Sequence, residues 1–146
     1  MAADKRTGTA LALAGSTVQQ VSGNWVRAPM PFDDIARAGS LAEDTGYESV
    51  WIPDHGVWEP FTLLAALARR TTRIRLASGV VTLTSRDLAG LASAAQTLDR
   101  VSGGRGILGV GSGEERRIGK VAERLQGVRN GVQERIPVYL AALGPR

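Results

Sequence analysis

The chain contains no cysteine, which excludes disulfide bonds, thiolate metal sites and thiol nucleophiles. The sequence contains a single histidine, His55. A lone histidine, with neither thiolates nor clustered carboxylates beside it, predicts no transition-metal site. Aromatic residues make up only 5% of the chain, which favours an α/β protein packed by alanine, leucine and valine over an all-β sandwich.

Long apolar runs are also missing. The stretch 10–14 is too short for the core of a signal peptide and far too short to span a bilayer. We therefore expect a soluble, cytoplasmic protein with a flexible N-terminus over residues 1–8. The length of 146 residues is enough for one compact domain and too little for two, so we assign residues 1–146 to a single domain.

The net charge of +4 comes mostly from arginine, and such a balance can indicate nucleic acid, a membrane surface or an anionic small molecule as partner. No aromatic residues interleave with the arginines, and no recognition helix is evident. We therefore expect scattered solvated arginines, a small-molecule substrate, and neither a nucleic-acid nor a membrane partner.

The sequence does contain a regular alternation of β-type and helical patterns. Runs of β-branched and aliphatic residues predict strands at 9–14, 47–52, 74–83, 107–110 and 137–143. Apolar residues spaced three and four apart predict helices at 32–45, 60–70, 87–101 and 118–128. Gly23, Pro29 and Pro31 lie between the first strand and the first helix, and they predict a long loop there.

Five strands joined by four helix-bearing connections predict a parallel sheet with right-handed crossovers. An open doubly wound sheet and part of a (β/α)8 barrel both fit this order. A complete barrel needs roughly 250 residues, so this chain would form only part of one.

The second predicted strand ends at Pro53, Asp54 and His55, and a helix opening at Pro60 follows at once. Parallel α/β folds keep their chemistry at the carboxyl ends of strands, and histidine can exchange a proton near neutral pH. Asp54 and His55 are therefore candidate functional residues. A histidine that is simply solvated in a loop is the alternative.

A glycine-rich segment, Gly109 to Gly113, follows the fourth predicted strand. A dinucleotide fingerprint would need glycine at position 114, where Glu114 stands. It would also need an acidic residue at the end of a second strand about 20 residues on, and none is found there. Both departures count against a dinucleotide site. Glycines at a strand's carboxyl end let the backbone approach a flat or anionic ligand closely. An ordinary tight turn, with Glu114 starting the next helix, is the alternative.

Five blocks in this order resemble the luciferase-like monooxygenase family, and within it the coenzyme F420-dependent oxidoreductases. The blocks are 53–55 (PDH), 60–68 (PFTLLAALA), 72–80 (TRIRLASGV), 97–105 (TLDRVSGGR) and 108–114 (LGVGSGE), and the resemblance resumes at 136–145 (IPVYLAALGP). The resemblance implies a partial (β/α)8 TIM-barrel-like sheet with F420, or alternatively FMN, across the carboxyl ends of the strands. It also implies hydride transfer between F420 and an organic substrate, or oxygenation with FMN.

The resemblance further implies a catalytic set of His55, Glu114 and Asp54, with the histidine acting as acid or base. It places a cis peptide bond between Gly79 and Val80, in a bulge behind the cofactor ring. Trp58 matches a tryptophan beside the reacting carbon less closely. The implied cofactor contacts are Asp54, Ser78, Gly79, Val80, Thr82, Gly111, Ser112, Gly113, Ala142, Gly144 and Pro145.

The chain departs from the family after Gly144 and Pro145, where relatives continue into a helix that binds the cofactor phosphate. The first and fifth predicted strands would then present unpaired edges, which a protein must cover or pair. We therefore expect a homo-oligomer. A non-catalytic barrel fragment that serves as an oligomeric structural subunit is the alternative to an enzyme.

Overall fold

The structure, a computed structural model, describes residues 9–13, 16–21, 24–54, 57–84, 86–113, 115 and 117–141. The predicted flexible segment 1–8 lies outside this part of the chain. Its helices are α1 (Phe32–Asp44), α2 (Pro60–Ala68), α3 (Leu88–Ser102) and α4 (Ile118–Gly131). Its strands are β1 (Ala10–Ala12), β2 (Ser16–Val21), β3 (Asn24–Pro29), β4 (Ser49–Ile52), β5 (Arg75–Ser78), β6 (Val81–Thr82), β7 (Gly106–Gly111) and β8 (Val138–Ala141).

Capping residues set the ends of the helices near the predicted positions. The Glu59 carboxylate accepts a hydrogen bond of 2.7 Å from the Thr62 N–H, and Pro60 occupies the first turn of α2. Asp87 caps α3 in the same way through the Gly90 N–H. Gly103, with φ of 72°, ends α3 in the left-handed conformation that glycine adopts without steric cost.

The main sheet is parallel, as the alternation of strands and helices predicts. Its strand order is β1-β4-β5-β7-β6, and β8 pairs with the other side of β7. β5 and β6 together occupy one position beside β7, so the six strands fill five places in the sheet. This arrangement confirms the predicted α/β class with a partial barrel-like sheet of parallel strands.

The prediction of a long loop between the first strand and the first helix was wrong. Residues 16–21 and 24–29 form an antiparallel hairpin, β2 paired with β3, with Val21 opposite Asn24 and Ser16 opposite Pro29. Glycine and proline suggested a loop, but Pro29 is the last residue of its strand, where a missing N–H is tolerated. The β-branched and aromatic residues of the two segments favour strands instead.

One face of the sheet forms the core of the domain. Val50, Ile52, Leu76 and Leu108 are fully buried and pack with apolar residues of the four helices. Trp51 alternates with Val50 and Ile52 and therefore points to the opposite face, where its ring meets that of Tyr139 edge-on at 5.8 Å. In the part of the chain that is described, no helix is long and apolar enough to cross a membrane.

Candidate functional site

The carboxyl ends of the parallel strands bring many of the predicted site residues to one edge of the sheet. Asp54 follows β4 by two residues, Thr82 ends β6, and Gly111 ends β7 directly opposite Thr82. Asp54, Val80, Thr82 and Ser112 are all partly exposed there. The structure therefore places these predicted residues at a common, accessible edge.

A bulge interrupts the third predicted strand at this edge. Five residue steps separate Leu76 from Val81, whereas four separate their partners Gly106 and Val110, so the β5–β6 side accommodates one extra residue. The peptide bond between Gly79 and Val80 is cis, as the family resemblance implies. The Gly79 N–H donates a 2.8 Å hydrogen bond to the Ile52 carbonyl, which ties the bulge to β4.

Two glycines allow the close packing around the bulge. A Cβ at Gly79 would lie 2.9 Å from the Cβ of Trp51, and a Cβ at Gly109 would overlap the Ser78 carbonyl oxygen. Both positions therefore exclude any side chain, which is a packing requirement that a strand pattern does not reveal.

Ser78 connects β5 to β7 where the backbone leaves the regular ladder. Its buried hydroxyl donates to the Gly109 carbonyl at 2.9 Å and accepts from the Gly109 N–H at 3.0 Å. The side chain thus replaces the backbone hydrogen bonds that the bulge interrupts. A cofactor contact by Ser78 stays a prediction.

Arg86, which the sequence analysis did not identify, binds two carboxylates at the same edge. It donates to Asp54 Oδ2 from Nη2 at 2.9 Å and from Nε at 3.2 Å, and to Glu59 Oε1 from Nη1 at 3.1 Å. Burial lowers the pKa of the Arg86 guanidinium, but Asp54 and Glu59 outweigh this effect and raise it. The available signal was its position, four residues beyond the end of β6 and next to the helix cap Asp87.

Glu59, which pairs with Arg86, also caps α2. Burial raises the pKa of its carboxyl group. The hydrogen bonds from the N–H and hydroxyl of Thr62, the N–H of Phe61 and the charge of Arg86 together lower it more. Glu59 is therefore ionised near neutral pH.

The glycine-rich turn packs against the loop that follows β6. Gly113 has a φ of 62°, and a Cβ there would lie 2.6 Å from the Thr84 hydroxyl. Glu115 follows Glu114, which is a predicted catalytic residue. The Glu115 carboxylate pairs with Arg117 at 2.9 Å, and hydrogen bonds from Arg117 lower the pKa of Glu115 to about 2.

Several predicted residues lie outside the described part of the chain and stay predictions. They are His55, Glu114, Ala142, Gly144 and Pro145. Trp58 is described: it is half-buried against the core, and its buried Nε1 has no hydrogen-bond partner among the residues that are described. Those residues also include no cluster of histidine, aspartate and glutamate that could hold a metal ion.

The described edge fits a planar ring better than a compact ion. The bulge at Gly79 and Val80 and the turn at Ser112 and Gly113 present backbone and small side chains, and each is at least partly exposed. Asp54 adds a hydrogen-bond acceptor at the edge of this surface. These residues could therefore hold a flavin-like or deazaflavin ring by backbone contact, with polar groups at its rim.

Comparison with known proteins relates residues 10–129 to the family described as luciferase-like monooxygenase. Over 86 residues the chain is 41% identical to 5,10-methylenetetrahydromethanopterin reductase of Methanolobus tindarius, covering 58% of this chain and 26% of that protein. Over 91 residues it is 40% identical to the F420-dependent glucose-6-phosphate dehydrogenase of Amycolatopsis mediterranei, covering 56% of this chain and 27% of that protein.

A solved structure agrees with these sequence matches. The coenzyme F420-dependent tetrahydromethanopterin reductase of Methanopyrus kandleri superposes with a TM-score of 0.62 at 28% identity. The superposition covers 79% of this chain and 30% of that one. The chain thus spans between a quarter and a third of the length of these relatives.

Proposed function

The chain belongs to the luciferase-like monooxygenase family, and on that premise we propose that it is a coenzyme F420-dependent oxidoreductase that transfers hydride between F420 and an organic substrate. The observation that carries this proposal is the bulge at Gly79 and Val80, which lies at the same edge as Asp54 and the Gly111–Gly113 turn. The relatives named for F420 favour this cofactor over FMN. Because the chain spans only part of those relatives, their substrates are not carried over.

The roles proposed for Gly79, Val80, Thr82, Ser112, Gly113 and Asp54 rest on their positions at this edge, and those proposed for His55 and Glu114 rest on the family resemblance. The backbone of Gly79 and Val80 would support the central ring, and Thr82, Ser112 and Gly113 would contact its rim. F420, when bound, supplies or accepts a hydride. Asp54, held by Arg86, would accept a hydrogen bond from the cofactor, while His55 would give or take a proton at an imidazole nitrogen. Glu114 would be a second proton donor.

A binding experiment tests the proposal. We expect the purified chain to retain F420 through gel filtration, with the absorbance band of the cofactor eluting with the protein. Asp54→Asn should weaken retention, whereas Asp44→Asn, at the exposed end of α1, should leave it unchanged. Retention of FMN but not F420 would instead support an oxygenating enzyme. Retention of neither cofactor would contradict the proposal.

A structural, oligomeric role is a second candidate, favoured by the exposed apolar residues of β8. Tyr139 is 52% exposed and Leu140 41% exposed, on a strand whose described pairing is with β7 alone. An edge of this kind pairs readily with another chain. Light scattering should then report a homo-oligomer that Leu140→Lys dissociates, while Leu41→Lys on α1, also exposed, leaves it intact. A monomeric wild-type chain would rule this role out.

A further inference from the structure

Arg86 joins two parts of the chain that border the same loop. Its guanidinium contacts Asp54, at the start of the β4–α2 loop, and Glu59, at the end of it. The side chain comes from the β6–α3 connection, 32 and 27 residues further along the chain. One cation therefore fixes both ends of the loop that begins at the cofactor-facing edge.

The backbone of Arg86 is itself held from α4. Arg124 donates from Nε to the Leu83 carbonyl at 2.8 Å and from Nη2 to the Arg86 carbonyl at 3.2 Å. A second bond from Nη2 reaches the same Leu83 carbonyl. The connection that carries Arg86 is thus fixed by a helix on one side and by two carboxylates on the other.

The geometry requires a guanidinium. Separate nitrogens of Arg86 reach the two carboxylates, and its Cζ lies 6.0 Å from the centre of the Phe61 ring. A lysine ammonium is a single point charge and cannot match this fork. The side chains of Arg86 and Asp54 are only 27% and 20% exposed, so water competes less with this pair than with a surface ion pair.

We propose that Arg86 is a positioning residue that fixes the Asp54 carboxylate toward the cofactor edge, and that Arg124 holds Arg86 in place for this task. Asp54 accepts both bonds from Arg86 through Oδ2. Because these two bonds fix the position of Oδ2, they fix the rotation of the carboxylate about its Cβ–Cγ bond. The direction of the second oxygen, Oδ1, is then fixed as well. This inference rests on the proposed function, because the value of a fixed Asp54 lies in its contact with F420.

The test compares F420 affinity among variants of the full chain, measured by fluorescence titration. We expect Arg86→Met to weaken binding about tenfold, the effect of about 1.4 kcal/mol, and Arg86→Lys to fall between it and wild type. Arg37→Met is the control, since Arg37 forms a comparable 3.0 Å pair with Asp34 on the exposed side of α1. A merely structural role would lower the unfolding midpoint of Arg86→Met without changing the affinity of the folded protein.

A cofactor-free measurement separates this inference from the proposed function. In the nitrogen–proton NMR spectrum, the Arg86 Nε–H should exchange slowly with water and should lose that protection in Asp54→Ala, which removes the acceptor. Unchanged F420 affinity in Arg86→Met, or an Arg86 Nε–H that is indifferent to Asp54→Ala, would overturn the positioning role. If wild type binds no F420, the proposed function fails, and the Nε–H signal alone decides whether Arg86 holds Asp54.

Discussion

Glu43, in α1, should be a major source of acid-sensitive stability in this domain. Its carboxylate accepts hydrogen bonds from the N–H groups of Thr72, Arg73 and Ile74, at distances between 2.7 and 3.1 Å, and from the Thr72 hydroxyl at 3.1 Å. These donors lie in the turn that leads into β5. The Glu43 side chain thus fixes α1 against the start of β5. The substitution Glu43→Gln tests how much this contact contributes to stability.

The size of the effect follows from the pKa of Glu43. Burial raises this pKa, but the hydrogen bonds from Ile74, Arg73 and Thr72 outweigh burial and lower it from 4.5 to about 2. A drop of that size corresponds to at most about 3.5 kcal/mol, at about 1.4 kcal/mol per pKa unit. Because water reaches the site, we expect roughly 1 to 2 kcal/mol in practice.

The sign of the pH dependence is fixed by the direction of this shift. The folded-state pKa of Glu43 is below the unfolded value, so its contribution is fully present above about pH 4.5 and is lost as the pH falls toward 2. A glutamine cannot titrate, and its amide group would set N–H donors against backbone N–H donors. Glu43→Gln should therefore be less stable than wild type at pH 7, with the difference shrinking at pH 3.

Urea unfolding followed by tryptophan fluorescence, at pH 7 and pH 3, measures this difference. The control is Glu48→Gln, since Glu48 is exposed nearby and bonds to Thr9 and Arg75 through its main chain. We expect the control to match wild type at both pH values. An equal loss of stability for Glu43→Gln at pH 7 and pH 3 would refute the assignment of the stabilisation to the ionised carboxylate.

Three further predictions test the packing, each by urea unfolding at pH 7. Gly109→Ala should cost about 3 kcal/mol or more because its Cβ would overlap a backbone oxygen, whereas Gly119→Ala, in open space on α4, should stabilise by up to about 1 kcal/mol. Ser78→Ala should cost about 2 to 4 kcal/mol because it leaves a buried N–H and carbonyl unpaired, and a loss under 1 kcal/mol would contradict the bridging role. Arg105→Lys should cost about 2 kcal/mol, since the guanidinium makes five hydrogen bonds to four carbonyls and a hydroxyl; an unchanged midpoint would refute this.

The elements that the sequence predicted well are those whose signals are local. The helix predicted at 87–101 is observed as Leu88–Ser102, because Asp87 and Gly103 act on their immediate neighbours. The edge that carries Asp54 was likewise predictable, since parallel strands must end together. The hairpin β2–β3 was missed because Gly23, Pro29 and Pro31 also fit a loop, and only cross-strand pairing distinguishes a loop from a hairpin.

The contacts that sequence reasoning could not find are separated by many residues along the chain. Arg86 meets Asp54 across 32 positions, and Ser78 meets Gly109 across 31. Neither pair leaves a periodic signal, because each depends on how two distant segments of the chain lie beside one another. The cis bond at Gly79 was reached through family resemblance alone, since the sequence itself shows only a glycine within an apolar run.

The two edges of the sheet use their charged residues in different ways. At the amino edge, Glu43 and Arg105 bind mainly backbone groups, which ties helices and turns to the strands. At the carboxyl edge, Arg86 binds the side chains of Asp54 and Glu59, which leaves polar groups oriented at an accessible surface. Glu43 and Arg105 lie at the edge opposite the proposed cofactor site, whereas the Asp54 carboxylate that Arg86 holds lies at the edge proposed to bind the cofactor. Substitutions of Glu43 and Arg105 should therefore change unfolding alone, whereas substitution of Arg86 should also change cofactor affinity.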